Sequence, residues 1–207
     1  QSFAHPEERY RLDEIVYTDR EGGLLEVVHD LDELRKTSAE GWKKLFDGRR
    51  HHNEWPYGSG VWGLKEWVLP EIANSNVVSM YEGHSNLFWA ERYGRQVGVE
   101  DLWIKLCGNS HTGSFKDLGM TVLVSMVNQM RCDGQDIPAI VCASTGDTSA
   151  SLAAYGATAP IPVIVLLPPD TNPVSQPLQR LANGCLTLSP PTDYHVAFPT
   201  LRHPGLH

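Results

Sequence analysis

Two short stretches hold most of the residues whose types could do chemistry. In CGNSHTGSFKDLGM, residues 107–120, one lysine, Lys116, stands between the ring of Phe115 and the carboxylate of Asp117, preceded by Ser110, His111, Thr112 and Ser114. In STGDTS, residues 144–149, Ser144, Thr145, Thr148 and Ser149 surround Gly146 and Asp147. A lysine so placed can be a solvated charge, a phosphate clamp or a reactive amine. Gly108 and Gly113 have the GxxxxG spacing of a phosphate-binding loop, but Ser114 and Phe115 follow where that loop requires Lys-Ser/Thr, so Lys116 comes two positions late and the clamp is discounted. A solvated lysine has the wrong sign for the first turn of a helix. A helix start and partial burial beside Phe115 both disfavour the ammonium form, and a neutral amine can attack an aldehyde and hold it as a Schiff base.

Both stretches read as loops that end a strand and open a helix, the place where open α/β sheets bind ligands. Backbone N–H groups at a helix N-terminus favour an anion, and Gly146 lets a ligand approach the backbone closely. N-capping by Thr148 or Ser149 would account for one hydroxyl. It leaves unexplained why five of the six residues 144–149 are hydroxylic or acidic, which favours an anion site. Of the readings of Lys116, the reactive amine would call for pyridoxal phosphate, which acts as an electron sink; the residues alone leave it open beside the solvated lysine.

The elements that must position these loops follow from the hydrophobic pattern. LWIKL (102–106), AIVCA (139–143) and PVIVLLP (162–168) read as strands. Apolar residues at 115, 118, 122, 123, 126, 127 and 130 have helical spacing, and TSASLAAYGATA reads as a small-residue helix. NLFWAERYG reads as a short helix ending at Gly94. Strand, helix and strand with short links make βαβ units, so the fold class is α/β with a mostly parallel sheet. Before this region, strands over 14–17 and 24–28 joined at Gly22-Gly23, and a helix from about Asp30, are expected. Trp55, Tyr57, Trp62 and Trp67 cluster in a segment that reads as a loop-rich arm pinned by aromatic side chains or as a ligand or dimer surface. Beyond Pro168, LQRLANGCLTL could form a short helix and strand, and the proline-rich residues 189–207 form an irregular tail. The expected organisation is an N-terminal arm (1–80), the start of a large cofactor domain (81–135), part of a small α/β domain (136–188) and the tail.

Composition narrows the partners. The 207 residues carry a formal net charge of −8 with no basic block, which argues against nucleic acid and an anionic membrane. The longest apolar run, Val163 to Leu167, suits one strand and not a membrane span. Four cysteines, at 107, 132, 142 and 185, show no CxxC pair and no metal-ligand spacing, so no metal is expected and buried thiols in a reducing compartment are.

WPYGSGVW, KEWVLPEI, EGHSNLFWAERYG, SHTGSFKDLGMTVLVS and CASTGDTSA, in that order along the chain, resemble plant-type threonine synthases. These are pyridoxal-phosphate enzymes of the tryptophan-synthase-β-like fold, and the likeness runs from about Leu12 to Pro168. The resemblance implies that Lys116 holds pyridoxal phosphate and is the catalytic residue, with Phe115 and Asp147 at the cofactor. It implies that Ser110, His111, Thr112, Ser114, Ser144, Thr145, Gly146, Thr148 and Ser149 meet the substrate. The implied reaction converts O-phospho-L-homoserine and water to L-threonine and phosphate. It also implies a homodimer when full length, with S-adenosylmethionine as effector near the Trp55–Trp67 region. The compartment would be the plastid stroma in a plant or alga, the cytoplasm in a bacterium. The glycine-rich GGNxG-like segment that cradles the cofactor phosphate in this family is not in the sequence, so the chain reads as the front part of a longer enzyme. The alternative is a non-catalytic fragment or pseudoenzyme of the same fold, unable to hold the cofactor.

Overall fold

The computed structural model describes residues 1–167 and 182–189; the first four residues of LQRLANGCLTL, where a short helix could form, and the tail from 190 lie outside them. The chain forms two compact units that divide after Arg50.

In the first unit one buried carboxylate organises the loops. Asp19 accepts from the Ser2 hydroxyl at 2.6 Å and from the N–H groups of Gly23 and Glu21 at 2.6 and 3.0 Å. Gly22 turns the chain with a positive φ of 84°, so the expected Gly22-Gly23 turn forms. Its flanks differ from the expected hairpin. Leu25 pairs antiparallel with Ser2, and no strand forms over 14–17. The N-terminal residues take the backbone groups beside Leu25, with Phe3 N–H donating to Leu24 C=O and Glu26 N–H to Gln1 C=O, both at 2.9 Å. Ile15 and Tyr17 are left exposed, so their alternation serves no buried face. Helix α1 (Leu31–Leu34) is capped by the Asp30 carboxylate, and α2 (Ala39–Arg49) by the Ser38 hydroxyl.

The second unit opens with a 3₁₀ turn at Trp62–Leu64, α3 (Lys65–Val68) and a second 3₁₀ turn at Asn74–Asn76. Strand β1 (Leu87–Trp89), α4 (Glu91–Val97) and β2 (Trp103–Lys105) follow. This corrects the helix expected from Asn86. Leu87–Trp89 pairs antiparallel with Trp103–Lys105, and the cross-strand pair Trp89–Trp103 stacks with ring centroids 6.3 Å apart. The helix begins only after Ala90 and runs past Gly94 to a left-handed Gly98.

Helix α5 (Asp117–Cys132), β3 (Ile140–Ala143), α6 (Asp147–Thr158), β4 (Val163–Leu166) and β5 (Leu186–Leu188) complete the described residues. Strands β3, β4 and β5 form a parallel sheet in that order. β3–α6–β4 is the expected βαβ unit, whereas β2–α5–β3 links two different sheets. The small residues of α6 permit close packing on that sheet, since a Cβ on Gly156 would lie 2.2 Å from Val163 Cγ2. Tyr155, Leu152, Val163, Val165 and Val124 share one core; Trp62, Leu69, Ile72 and Val77 form another.

The buried stripe of α5 is not the one its apolar spacing predicts. Phe115 and Leu123 are exposed, and the most buried positions are Asp117, Thr121, Val124 and Ser125. The polar members are buried because each has partners. The indole of Trp62 donates to Thr121 Oγ1 at 2.8 Å, Thr121 donates to Val78 C=O at 2.7 Å, and Val78 N–H donates to Ser125 Oγ at 2.7 Å. The thiols also depart from expectation: Cys185 is buried and Cys142 half-buried, but Cys107 and Cys132 are exposed.

Candidate active site

The loop before α5 is closed by its own polar groups. Gly113, with φ of 78°, donates to Ser110 C=O at 3.1 Å; Ser110 Oγ donates to Ser114 C=O at 2.8 Å; Lys116 N–H donates to Ser114 Oγ at 3.3 Å. Thr112 gives both its N–H (2.9 Å) and its hydroxyl (2.5 Å) to Asp117. So Ser110, Thr112 and Ser114 shape the loop, and His111 lies exposed on it. Lys116 is half-buried at the helix start, with Nζ 4.7 Å from the centroid of the exposed Phe115 ring. Among the described residues its Nζ has no hydrogen bond or ion pair. The neighbouring carboxylate does not neutralise it, because Asp117 is turned inward, fully buried and already holds donors.

The second loop leaves β3 at Ala143. Ser144 Oγ accepts from Gly146 N–H at 3.2 Å, and Ser149 Oγ donates to Gly146 C=O at 2.9 Å. Gly146 is the N-cap residue and no side chain caps α6, so neither Thr148 nor Ser149 caps it. The first N–H groups of a helix lie outside its own hydrogen-bond ladder, so this end favours an acceptor. Thr145, Gly146 and Thr148 are half-buried, Ser149 is buried, and Asp147 is exposed in the first turn.

Two buried carboxylates join these loops. Asp117 Oδ1 accepts from Ser151 Oγ at 2.6 Å, which sets the first turns of α5 and α6 side by side. Four residues on, Tyr155 OH donates to Glu82 Oε2 at 2.7 Å. Burial first, and then the bond to Glu82, raises the Tyr155 phenol well above its ordinary range. Glu82 also accepts from the hydroxyls of Ser59 and Ser79, at 2.5 and 2.9 Å, and from Met80 N–H at 3.0 Å. Glu82 starts the EGHSN loop, where Asn86 Oδ1 accepts from Asn109 Nδ2 at 2.8 Å in the Lys116 loop. His84 is exposed.

Hydrogen bonds thus link the 82–86 loop to the 107–116 loop and to α6, and the start of α5, next to Lys116, to the same helix. Sequence reading missed Asp117, Ser151 and Tyr155 as parts of this arrangement. The available signal was polar residues on the helical repeat of otherwise apolar segments: 117, 121 and 125 on α5, and 151 and 155 on α6. The donor set suits a ligand with both a carbonyl and anionic groups. Among the described residues no group of three or more His, Cys, Asp or Glu is placed to hold a metal ion, and no helix is long and apolar enough to cross a membrane.

The family model described as pyridoxal-phosphate dependent enzyme matches residues 78–197. The chain is 56% identical over 188 residues to threonine synthase 2, chloroplastic, of Arabidopsis thaliana, covering 90% of this chain and 36% of that protein. It is 40% identical over 160 residues to threonine synthase of Methanocaldococcus jannaschii, covering 77% and 35%. The chain therefore spans about a third of the length of these curated relatives. A pyridoxal 5'-phosphate-dependent aspartate racemase superposes with a TM-score of 0.51 at 19% identity, over 64% of this chain and 42% of that one, which is a likeness of fold.

Proposed function

This chain belongs to the pyridoxal-phosphate-dependent enzyme family, and from that premise we propose that it is part of a threonine synthase acting on O-phospho-L-homoserine. The observation that carries the reading is the amine of Lys116, half-buried beside Phe115 and without a hydrogen-bond or ion-pair partner among the described residues. The identity to threonine synthases narrows the reaction.

The residues present fit the cofactor in one respect each. Lys116 would supply the amine that holds its aldehyde carbon, and the exposed Phe115 ring offers an apolar surface beside that amine. Bound pyridoxal phosphate supplies an electron sink that makes loss of a proton from the substrate's Cα feasible. The chain's own work is proton handling and anion binding. Lys116 would take the Cα proton and move the protons that loss of phosphate from Cγ, protonation of Cγ and addition of water at Cβ require. Asp117 does not neutralise the amine, because its carboxylate faces inward. The start of α6, whose N-cap residue is Gly146, with Ser144, Thr145 and Thr148, receives anionic groups of the substrate and stabilises the departing phosphate. Asp147, exposed at the same helix start, is the residue there that would help to hold the cofactor in this reading.

The proposal extends to a homodimer, to S-adenosylmethionine as effector, and to the plastid stroma if the source is a plant or alga, or the cytoplasm if it is bacterial. The relative from Arabidopsis thaliana carries "chloroplastic" in its name, which supports the first location.

The test uses the full-length protein that contains this chain. With pyridoxal phosphate added, visible absorbance is expected, and borohydride is expected to remove it while fixing the label on Lys116. Phosphate release from O-phospho-L-homoserine should fall at least about 10³-fold in Lys116→Ala. Label on another lysine, or full activity in Lys116→Ala, sinks the proposal.

A further inference from the structure

Resting on the reading of Lys116 as the cofactor lysine, we infer that Asp117 is the positioning residue that holds the Lys116 loop and the 144–149 loop in one register. Its carboxylate is fully buried and receives three donors from two directions. Oδ2 takes the Thr112 N–H at 2.9 Å, and Oδ1 takes the Thr112 hydroxyl at 2.5 Å and the Ser151 hydroxyl at 2.6 Å. Thr112 belongs to the loop that carries Lys116. Ser151 lies four residues after Asp147, one turn into the helix that the 144–149 loop opens.

The geometry makes this more than local loop closure. Asp117 is the first residue of α5 and is covalently next to Lys116, so the backbone that launches the amine is fixed through the carboxylate. A sliding or rotation of α6 moves Ser151, loosens its grip on Oδ1 and disturbs the oxygen that Thr112 also uses. The loop offered to anionic groups and the amine offered to a carbonyl carbon are therefore referenced to one buried group. A buried carboxylate without its donors is costly, so the three bonds break together rather than singly. No apolar side chain could replace it, because two hydroxyls and a backbone N–H would lose their acceptor.

Two measurements on the full-length protein test this. The first needs no cofactor. Hydrogen exchange is followed at residues 107–116 and at the first turn of α6 in the wild type, Asp117→Ala and Ser151→Ala. Asp117→Ala should speed exchange in both segments. Ser151→Ala should speed it at residues 107–116 by about threefold or more, across the hydrogen bond, as well as in α6. A rise confined to α6 in Ser151→Ala overturns the inference.

The second is kinetic, with cofactor loaded. Asp117→Ala should lower kcat/KM about 100-fold and Ser151→Ala about tenfold, the scale expected of a misplaced reacting group. The double variant should be no worse than Asp117→Ala. Effects that multiply show two independent roles and overturn the inference. Asp117→Asn keeps the shape: its oxygen can accept from Thr112 N–H while its NH₂ donates to the two hydroxyls. It should recover about tenfold over Asp117→Ala, and recovery of nothing counts against a positioning role. A wild type that binds no pyridoxal phosphate ends the functional reading alone, because the exchange measurement still decides the role of Asp117.

Discussion

The phenol of Tyr155 donates to the carboxylate of Glu82 across 2.7 Å, and both side chains are buried, Tyr155 at 0% and Glu82 at 2% exposed. Among the described residues Glu82 has no cation as a hydrogen-bond partner; hydroxyls and one N–H hold it. Tyr155→Phe removes one donor and leaves the ring in place. It should cost about 1–3 kcal/mol of stability, the penalty for a buried acceptor that loses a partner. The raised phenol adds a pH signature. Because its folded pKa lies above the ordinary 10.0, its contribution is intact below pH 10.0 and declines as pH rises beyond it. Denaturant unfolding at neutral and alkaline pH checks both parts. The wild type should lose part of its advantage over Tyr155→Phe at alkaline pH, and an equal loss at every pH removes the linkage.

On the acid side Asp19 is one of three carboxyls of the first unit, with Glu8 and Asp13, that are held below their ordinary values. The Ser2 hydroxyl, then the Gly23 N–H, hold the Asp19 carboxyl below the ordinary value of 3.8. A depressed folded value means stability that is present above pH 3.8 and lost as pH falls below it toward the folded value. Ser2→Ala removes the leading cause, so Asp19 should titrate at higher pH, followed by its carboxyl carbon resonance. Asp19→Asn should remove the acid limb of local opening at residues 19–25. An unchanged Asp19 titration in Ser2→Ala would show that the hydroxyl is not what holds the charge.

The two loops of the candidate site were legible as loops that open helices, because polar and glycine residues there follow apolar strands and precede helical spacing. Lys116 with its glycine and hydroxyl neighbours, and STGDTS after a continuous apolar strand, needed no long-range information. β3, α6 and β4 were legible for a related reason: buried parallel strands read as apolar runs, and α6 reads as small residues between them. What failed depended on partners distant in sequence. Residues 87–89 are a strand because 103–105 lie beside them, and 24–26 pair with 1–3 rather than with 14–17. The buried face of α5 was misread because Thr121 and Ser125 are made compatible with burial by Trp62 and Val78, 59 and 47 residues away. Asp117 was visible as a carboxylate beside a lysine, but its partner Ser151 is 34 residues on, so its inward turn was not.

The packing of α6 on the parallel sheet gives a prediction of definite sign. A Cβ on Gly156 would stand 2.2 Å from Val163 Cγ2 and 3.2 Å from Ile161 C=O. Val163 cannot yield easily, since it is a branched side chain in β4, paired in register with Ile140 and buried in the same core as Tyr155. In most helices Gly→Ala is stabilising by about 1 kcal/mol, because alanine has the better propensity. Gly156→Ala should instead destabilise by about 1–3 kcal/mol, the cost of overpacking a filled core. Gly156→Ala with Val163→Ala should recover part of that loss, because the second change removes the methyl that clashes. Urea midpoints of the three variants decide it: a stabilised Gly156→Ala would mean that α6 can lift from the sheet. Because α6 carries Ser151 to Asp117 and opens the 144–149 loop, the overpacked single variant should also lower kcat/KM in the full-length protein, and the double variant should restore it.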